Sequence, residues 1–377
     1  MKSQEIPARG LQLRSLVTEH QTVEVSLVEV GVPSPGPDEV LVRVEAAPIN
    51  PSDLAVLFAG ADIADAEVSG TPDRPAVTAP LSEGAARAAE ARVGQSLPIG
   101  NEGAGTVVAA GGSDAAQALL GGRVALYGGA MYAQYRCVNA DACLAPPPGA
   151  TAAAGAASFV NPMTVLGMVE TMRAEGHTAL VHTAAASTLG QMLLRYCREE
   201  SVPLVCIVRS REHVELLRGA GAEHVCDSSA ESFEEDLTRA CAATGATLAF
   251  DAIGGGRLAG RILACMEAAI TAGSAFARYG SATHKQAYLY GHLDRGPTEI
   301  DRSFGMAWGV GGWVLPNFLA RAQPDQVARM RSRVAEGLST TFATRFTAEV
   351  TLAGALTRDA ISVYGRPATG IKYLIAA

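Results

Sequence analysis

Over the first sixty residues, short runs of alternating apolar and polar positions predominate, whereas from about residue 151 apolar runs alternate with stretches of helical spacing. Alternation predicts half-buried strands. They fall at 11–17, 23–30 and 39–46, the last after the turn-rich PSPGPDE, and again at 105–110, 123–127 and 131–138. Residues 61–98 are rich in Ala, Asp and Pro and read as an elaborated loop with one surface helix, capped by Ser82 and Gly94. APPPGA at 145–150 marks a linker. Beyond it the pattern predicts a helix at 162–172, a strand at 178–183, an amphipathic helix from Thr188, and strands at 203–208, 223–226, 247–252, 287–291 and 308–315. Such alternation of α and β predicts a doubly wound parallel sheet. The last sixty residues hold a helix (325–337), a β segment (345–350), a helix (353–364) and a strand (371–376), which are expected to return to the first domain. The expected domains are therefore 1–150 together with 319–377, split around 151–318.

The most informative stretch is 178–211, TALVHTAAASTLGQMLLRYCREESVPLVCIVRSR. It reads as a βαβ unit with a small-residue turn, Ala184 to Ser187, before the helix. The free N–H groups and dipole at a helix start suit a pyrophosphate, and small residues allow its close approach. In the usual G-x-G-x-x-G fingerprint, Ala185, Ser187 and Gly190 take the three glycine positions, with Thr188 and Leu189 in the first turn. The second strand then ends in Arg209-Ser210-Arg211, where an NAD-binding unit would carry Asp or Glu. Two guanidiniums flanking a hydroxyl suit a ribose 2′-phosphate. The cofactor implied is NADPH; the alternative is that both arginines are solvated surface charges.

Composition narrows the class. A chain of 377 residues with 48% hydrophobic content and mean hydropathy +0.17 can fill two cores. A net charge of −8 and pI near 5.5 argue against nucleic acid or an anionic membrane as partner. Seven scattered cysteines read as reduced, buried thiols. MKSQEIPARG lacks an apolar signal core, and no run reaches the ~18 apolar residues of a membrane span. A cytoplasmic enzyme is expected.

Motifs from end to end carry a resemblance: INPSD (49–53), GNEGAG (100–105), VNPMT (160–164), TAAASTLGQ (183–191), IVRSR (207–211), FDAIGG (250–255), LYGHLDRGP (289–297) and GVGGWVL (309–315). The chain resembles the medium-chain dehydrogenase/reductases, in the zinc-independent quinone oxidoreductase and enoyl-thioester reductase branch. That resemblance implies a GroES-like β-rich catalytic domain split around a Rossmann nucleotide-binding domain. It also implies a metal-free hydride transfer from NADPH to a quinone or an activated alkene (enone, enal or enoyl thioester). Cofactor contacts are expected from Asn50, Thr164, Tyr290 and Gly291, and a homodimer through the edge of the Rossmann sheet; Trp308 and Trp313, within the glycine-rich AWGVGGW, would line the cleft or, as favoured, the dimer seam.

Two departures matter. Where zinc alcohol dehydrogenases carry a ligand His after the first glycine of 100–105, this chain has Asn101, and Asn50 lies where a ligand Cys is expected; zinc favours Cys, His or carboxylate. No metal is expected. The Tyr that enoyl-thioester reductases carry some ten residues after NPxD is absent, and Asp62 falls there. Asn50 is then the candidate for a hydrogen bond to substrate, the alternative being a structural Asn-Pro turn, with Tyr127 and Tyr132 as other hydroxyls or core residues; Asp53 and His182 read as structural. A catalytically idle NADPH-binding protein is the alternative.

Overall fold

The computed structural model describes residues 5–147, 149–366 and 369–376; residues 1–4, which open the segment read for a signal core, and Pro148 of the APPPGA stretch lie outside it. The chain divides into two compact units, Met1–Val160 with Arg331–Ala377, and Asn161–Met330.

The first unit holds β1 (Arg9–Val17), β2 (Thr22–Gly31), β3 (Glu39–Pro48), α1 (Pro51–Phe58), β4 (Glu67–Thr71), β5 (Arg74–Pro80), α2 (Glu83–Ala88), β6 (Ser96–Pro98), β7 (Glu102–Ala110), α3 (Asp114–Gln117), β8 (Arg123–Tyr127), β9 (Tyr135–Asn139), β10 (Cys143–Leu144) and α4 (Ala152–Ala156). The chain continues through α5 (Val160–Ala174), β11 (Leu180–His182), α6 (Thr188–Glu199), β12 (Leu204–Val208), α7 (Arg211–Gly219), β13 (His224–Asp227), α8 (Phe233–Thr244), β14 (Leu248–Asp251), β15 (Gly254–Gly256), α9 (Leu258–Thr271), β16 (Lys285–Leu289), β17 (Asp294–Thr298), β18 (Trp308–Gly312) and α10 (Leu315–Arg321). It closes with α11 (Pro324–Glu336), β19 (Ala348–Val350), α12 (Arg358–Tyr364) and β20 (Tyr373–Ala376).

In the first unit one sheet has the order β4-β5-β2-β1-β6 and a second β10-β8-β7-β3-β20-β19, with β9 also on β3. Alternation put the apolar side chains of these strands on one face, and Leu13, Val25, Val42, Val107 and Val124 meet in one core. β3 is central, so most of it is buried. Residues 61–98 are more ordered than an elaborated loop: β4 and β5 form a hairpin that extends the first sheet. The alternation Ala76, Val77, Thr78, Ala79 carried that signal, but flanking prolines and weak apolar side chains concealed it. The surface helix there is short, with Ser82 accepting the Ala85 N–H at 3.3 Å. The strand expected at 131–138 begins only at Tyr135, because Met131 and Tyr132 give their N–H groups to Gly100 and Ile99.

The second unit is a six-stranded parallel sheet, order β13-β12-β11-β14-β16-β18. The order runs outward in both directions from β11 and β14, the switch point where ligands of such sheets bind beyond the strand carboxyl ends. β18 stops at Gly312 rather than 315, since Val314 and Pro316 open α10. No described helix is long and apolar enough to cross a membrane.

Candidate functional site

Each unit carries its own polar cluster. In the second unit, β11 ends at His182 and the turn Ala184 to Ser187 follows, with Ala184 at a positive φ of 49°. Ser187 caps α6, its Oγ accepting the Gly190 N–H at 3.1 Å. Glycine at 190 is dictated by packing: a Cβ there would stand 2.3 Å from the Ala185 carbonyl oxygen. That closeness draws the α6 N-terminus against the strand, leaving the first-turn N–H groups of Thr188 and Leu189 without intrahelical partners. At the neighbouring switch-point strand, Thr183 donates to Asp251 at 2.7 Å, and Asp251 accepts the Ile253 N–H at 2.9 Å. Past β16, Gly291 lies against Ala252, where a Cβ would meet the carbonyl oxygen at 2.4 Å.

Beyond β12, Ser210 caps α7, accepting the His213 N–H. The two flanking arginines have no buried duty. Arg209 is exposed with no partner among the described residues, and the Arg211 side chain, 91% exposed, pairs only with Glu215 at 3.1 Å. The nucleotide candidates Ala185, Ser187, Thr188, Leu189, Gly190, Arg209, Ser210, Arg211, Tyr290 and Gly291 all fall on the carboxyl-end side of this sheet. Thr164 is buried on α5.

His182 is wholly buried, as expected, but only half satisfied. Its Nε2 lies 2.8 Å from the Tyr290 hydroxyl, while Nδ1 has no partner. With no counter-charge, burial pushes its pKa down to about 3, so the ring is neutral. The tryptophans are engaged inside this unit: Trp313 donates to Thr171 at 3.1 Å and packs edge-on to Phe250, and Trp308 stands edge-on to Phe304. The indole N–H of Trp313 needs a partner, and α5 supplies it.

The cluster of the first unit follows from strand register. β20 runs antiparallel to β3 with Leu374 opposite Pro48, and the Ile49 N–H reaches the Tyr373 carbonyl at 2.9 Å. Continuing that register two residues sets Lys372 opposite Asn50. β7 pairs with β3 on its other side, Ala104 opposite Ala46, and so delivers Glu102 to the same sheet end. Asn50, Asp53, Glu102 and Lys372 are all at most 5% exposed. Asn50 Nδ2 donates to Glu102 Oε1 at 2.9 Å, and Lys372 Nζ donates to Asn50 Oδ1. Glu102 Oε2 accepts the N–H groups of Phe159 and Val160 at 2.9 and 2.8 Å. Asp53 accepts those of Asn50 and Asn101 at 2.8 and 2.9 Å.

Burial sets the electrostatics. It raises Asp53 to about 6 against the lowering effect of its hydrogen bonds, raises Glu102 against the pull of Lys372, and lowers Lys372 against both carboxylates. Tyr127 lies flat on Phe159, ring centroids 4.6 Å apart, and burial with the Glu102 charge raises its pKa, so its hydroxyl keeps its proton. Tyr132 is a core residue, donating to the Pro48 carbonyl at 3.1 Å. Asp62 caps a short 3₁₀ turn, accepting the Ala64 N–H at 2.9 Å. Asn101 Nδ2 is tied to Ser52 at 3.0 Å, and no group of three or more His, Cys, Asp or Glu able to hold a metal exists among the described residues. Glu102 and Lys372 were not foreseen as site residues. The signal for Lys372 was a lone cation entering the apolar strand YLIA.

Comparison with known proteins agrees with both halves of the fold. Residues 36–165 match the alcohol dehydrogenase GroES-like domain. A candidate NADPH:quinone reductase from Mesorhizobium loti superposes with TM-score 0.74 at 25% identity, covering 99% of this chain and 100% of that one. A mycobacterial protein solved with NADPH gives 0.68 at 18% identity over 98% and 100%, and the CurK enoyl reductase 0.67 at 15% over 98% and 99%. A highly reducing polyketide synthase of Gibberella zeae is 27% identical over 161 residues, which span 41% of this chain but 6% of that much longer protein. With a GroES-like match over residues 36–165, a parallel sheet of order 3-2-1-4-5-6 and end-to-end likeness to these reductases, the chain has the fold of the medium-chain dehydrogenase/reductases and is similar to their quinone oxidoreductase and enoyl reductase members.

Proposed function

We propose that this protein is an NADPH-dependent oxidoreductase that passes hydride to a quinone or to an activated carbon-carbon double bond without a metal. The observation that carries the cofactor reading is the exposed pair Arg209 and Arg211, flanking Ser210 after β12, in the unit whose α6 N-terminus stands at the switch point of the sheet. The α6 N–H groups would hold the pyrophosphate and the two guanidiniums the 2′-phosphate. NADPH, when bound, supplies the hydride. The chain's own part is to orient and polarise. Asn50 offers its remaining Nδ2 hydrogen to the substrate oxygen that gains charge. Tyr127, whose hydroxyl has no partner among the described residues, is a second donor. Metal independence is supported by the donor set: around Asn50 stand two carboxylates already bound to N–H groups and an ammonium, a poor setting for a divalent cation.

Titration with both cofactors tests the reading. Charged contacts contribute roughly 1.5–3 kcal/mol each, so NADPH should bind at least tenfold more tightly than NADH, and Arg209→Ala with Arg211→Ala should erase that preference. Equal affinities in the wild type would refute it. Turnover is read as NADPH oxidation with a panel of quinones and enones, and activity and melting temperature should survive chelators. Asp62 in place of the family tyrosine favours one competing reading, an idle NADPH-binding protein; tight NADPH binding without turnover of any acceptor would establish that instead. The edge strand β18 leaves one side unpaired in the sheet order, and we propose that a second copy pairs with it across a two-fold axis. A monomer in sedimentation at micromolar concentration would exclude this.

A further inference from the structure

The buried ammonium of the first unit does not touch a carboxylate directly. Lys372 donates to Asn50 Oδ1, and the same amide donates through Nδ2 to Glu102 at 2.9 Å. A carboxamide therefore lies between a cation and an anion. Its orientation is not free: Lys offers only donors and an ionised Glu only acceptors. A flipped amide would set NH₂ against the ammonium and its oxygen against the carboxylate. The field of the ion pair runs along the amide dipole, drawing electron density toward oxygen and making the Nδ2 hydrogens stronger donors in a dry interior. One of those hydrogens goes to Glu102; the other is uncommitted to Glu102.

Burying a lysine at 5% exposure just before the apolar strand YLIA costs several kcal/mol unless its charge is compensated. An apolar residue would fill this position more cheaply. Glu102 is likewise fixed on three sides, by Asn50 and by the Phe159 and Val160 N–H groups. Asp53 closes the set by holding the Asn50 backbone N–H at 2.8 Å. Every charged group of the cluster thus bears on Asn50 or its immediate turn.

We propose that Lys372 is a positioning residue, whose ammonium, acting with Glu102, locks and polarises the Asn50 carboxamide so that its second Nδ2 hydrogen is the one presented to a substrate oxygen. This rests on the role given to Asn50 above. Lys372 itself touches no reacting atom.

The test compares Lys372→Met, close in length and uncharged, in the wild-type and Asn50→Ala backgrounds. Alone, it should lower kcat about tenfold or more while the NADPH Kd stays within about twofold. In the Asn50→Ala background it should change kcat by less than about twofold, whereas its effect on melting temperature persists. Equal losses in both backgrounds would overturn the proposal. A second readout needs no turnover and so separates failure of this inference from failure of the proposed activity. The chain has five asparagines, and selective ¹⁵N labelling resolves their side-chain amides. In the wild type the Asn50 amide should exchange with solvent far more slowly than the other four and resonate apart from them. In Lys372→Met its exchange should accelerate at least about tenfold while the backbone amides of Val40, Val42 and Val44 in β3 keep their protection. A wild-type Asn50 amide that exchanges like the rest, or one unmoved by the substitution, would overturn the proposal even if no variant turned over.

Discussion

The two units set the polar groups of their candidate sites in opposite surroundings. In the first, four polar side chains are buried together as an internally compensated set of two carboxylates, an ammonium and the amide between them. In the second, buried charge is answered away from the switch point, Lys285 by Glu267 at 2.6 Å, His182 is held neutral beside Tyr290, and the cations proposed to meet the cofactor, Arg209 and Arg211, stand in solvent with at most one weak partner. A buried charge must be answered by its own chain, or it destabilises the fold. A charge kept for an outside ligand must remain unanswered. Under the proposed function, the contrast separates residues that shape a site from residues that wait for its occupant.

That contrast can be broken most forcefully at Glu102. Glu102→Ala leaves the Lys372 ammonium buried without its anion and should cost about 3–5 kcal/mol in urea or guanidinium unfolding; a loss below 1 kcal/mol would mean the cluster is not compensated as described. The next largest effects concern pH and differ in sign between the units. His182 has a folded pKa pushed down to about 3, below its ordinary 6.5, so the unfolded chain takes up the proton first. Its contribution is present above 6.5 and is lost as pH falls toward 3, about 2 kcal/mol of it between pH 6.5 and 4.5. His182→Gln should flatten that part of the stability profile.

Asp53 acts the other way. Its folded pKa of about 6 lies above the ordinary 3.8, so the folded state takes up the proton first and gains stability, about 2 kcal/mol, as pH falls from 7 to 4.5. Asp53→Asn, less stable at every pH because it disturbs two N–H contacts, should lack this gain; an identical slope in variant and wild type would show that Asp53 stays ionised throughout. The smallest effect sharpens the comparison from the other side. Arg209→Ala with Arg211→Ala should change unfolding stability by less than about 0.5 kcal/mol while removing the discrimination between cofactors.

What the sequence disclosed follows the same division. The β11-α6-β12 unit was legible because its signals are local: Thr188 opens α6, Ser187 caps it, Gly190 sits against the strand, and the arginines follow directly. The doubly wound parallel sheet was legible from the alternation of helical and strand patterns. The Asn50 cluster was not, because its members lie on three strand ends far apart in the chain and meet only through the registers of β7 and β20 against β3. Asn50 and Glu102 were visible inside motifs, yet their pairing with Lys372 depends on long-range pairing that alternation cannot report. The β4-β5 hairpin was missed for a different reason, since alanine and proline blur period-two patterning. The bond from Trp313 to the hydroxyl of Thr171 was not legible either, because α5 and the end of β18 lie far apart in the chain.

The place of β20 in the first unit also bears on biosynthesis. The first unit is discontinuous, and the strand that brings Lys372 to Asn50 is translated only after the whole of Asn161–Met330 has been made. During synthesis the second unit, being continuous, can close on the ribosome as soon as it emerges. The first cannot. Until β20 docks against β3, Glu102 and Asp53 sit in a nascent sheet with no internal cation and an open strand edge. A stalled or truncated chain ending within the second unit would therefore present to chaperones and proteases a folded nucleotide half joined to an unfinished, acid-lined one.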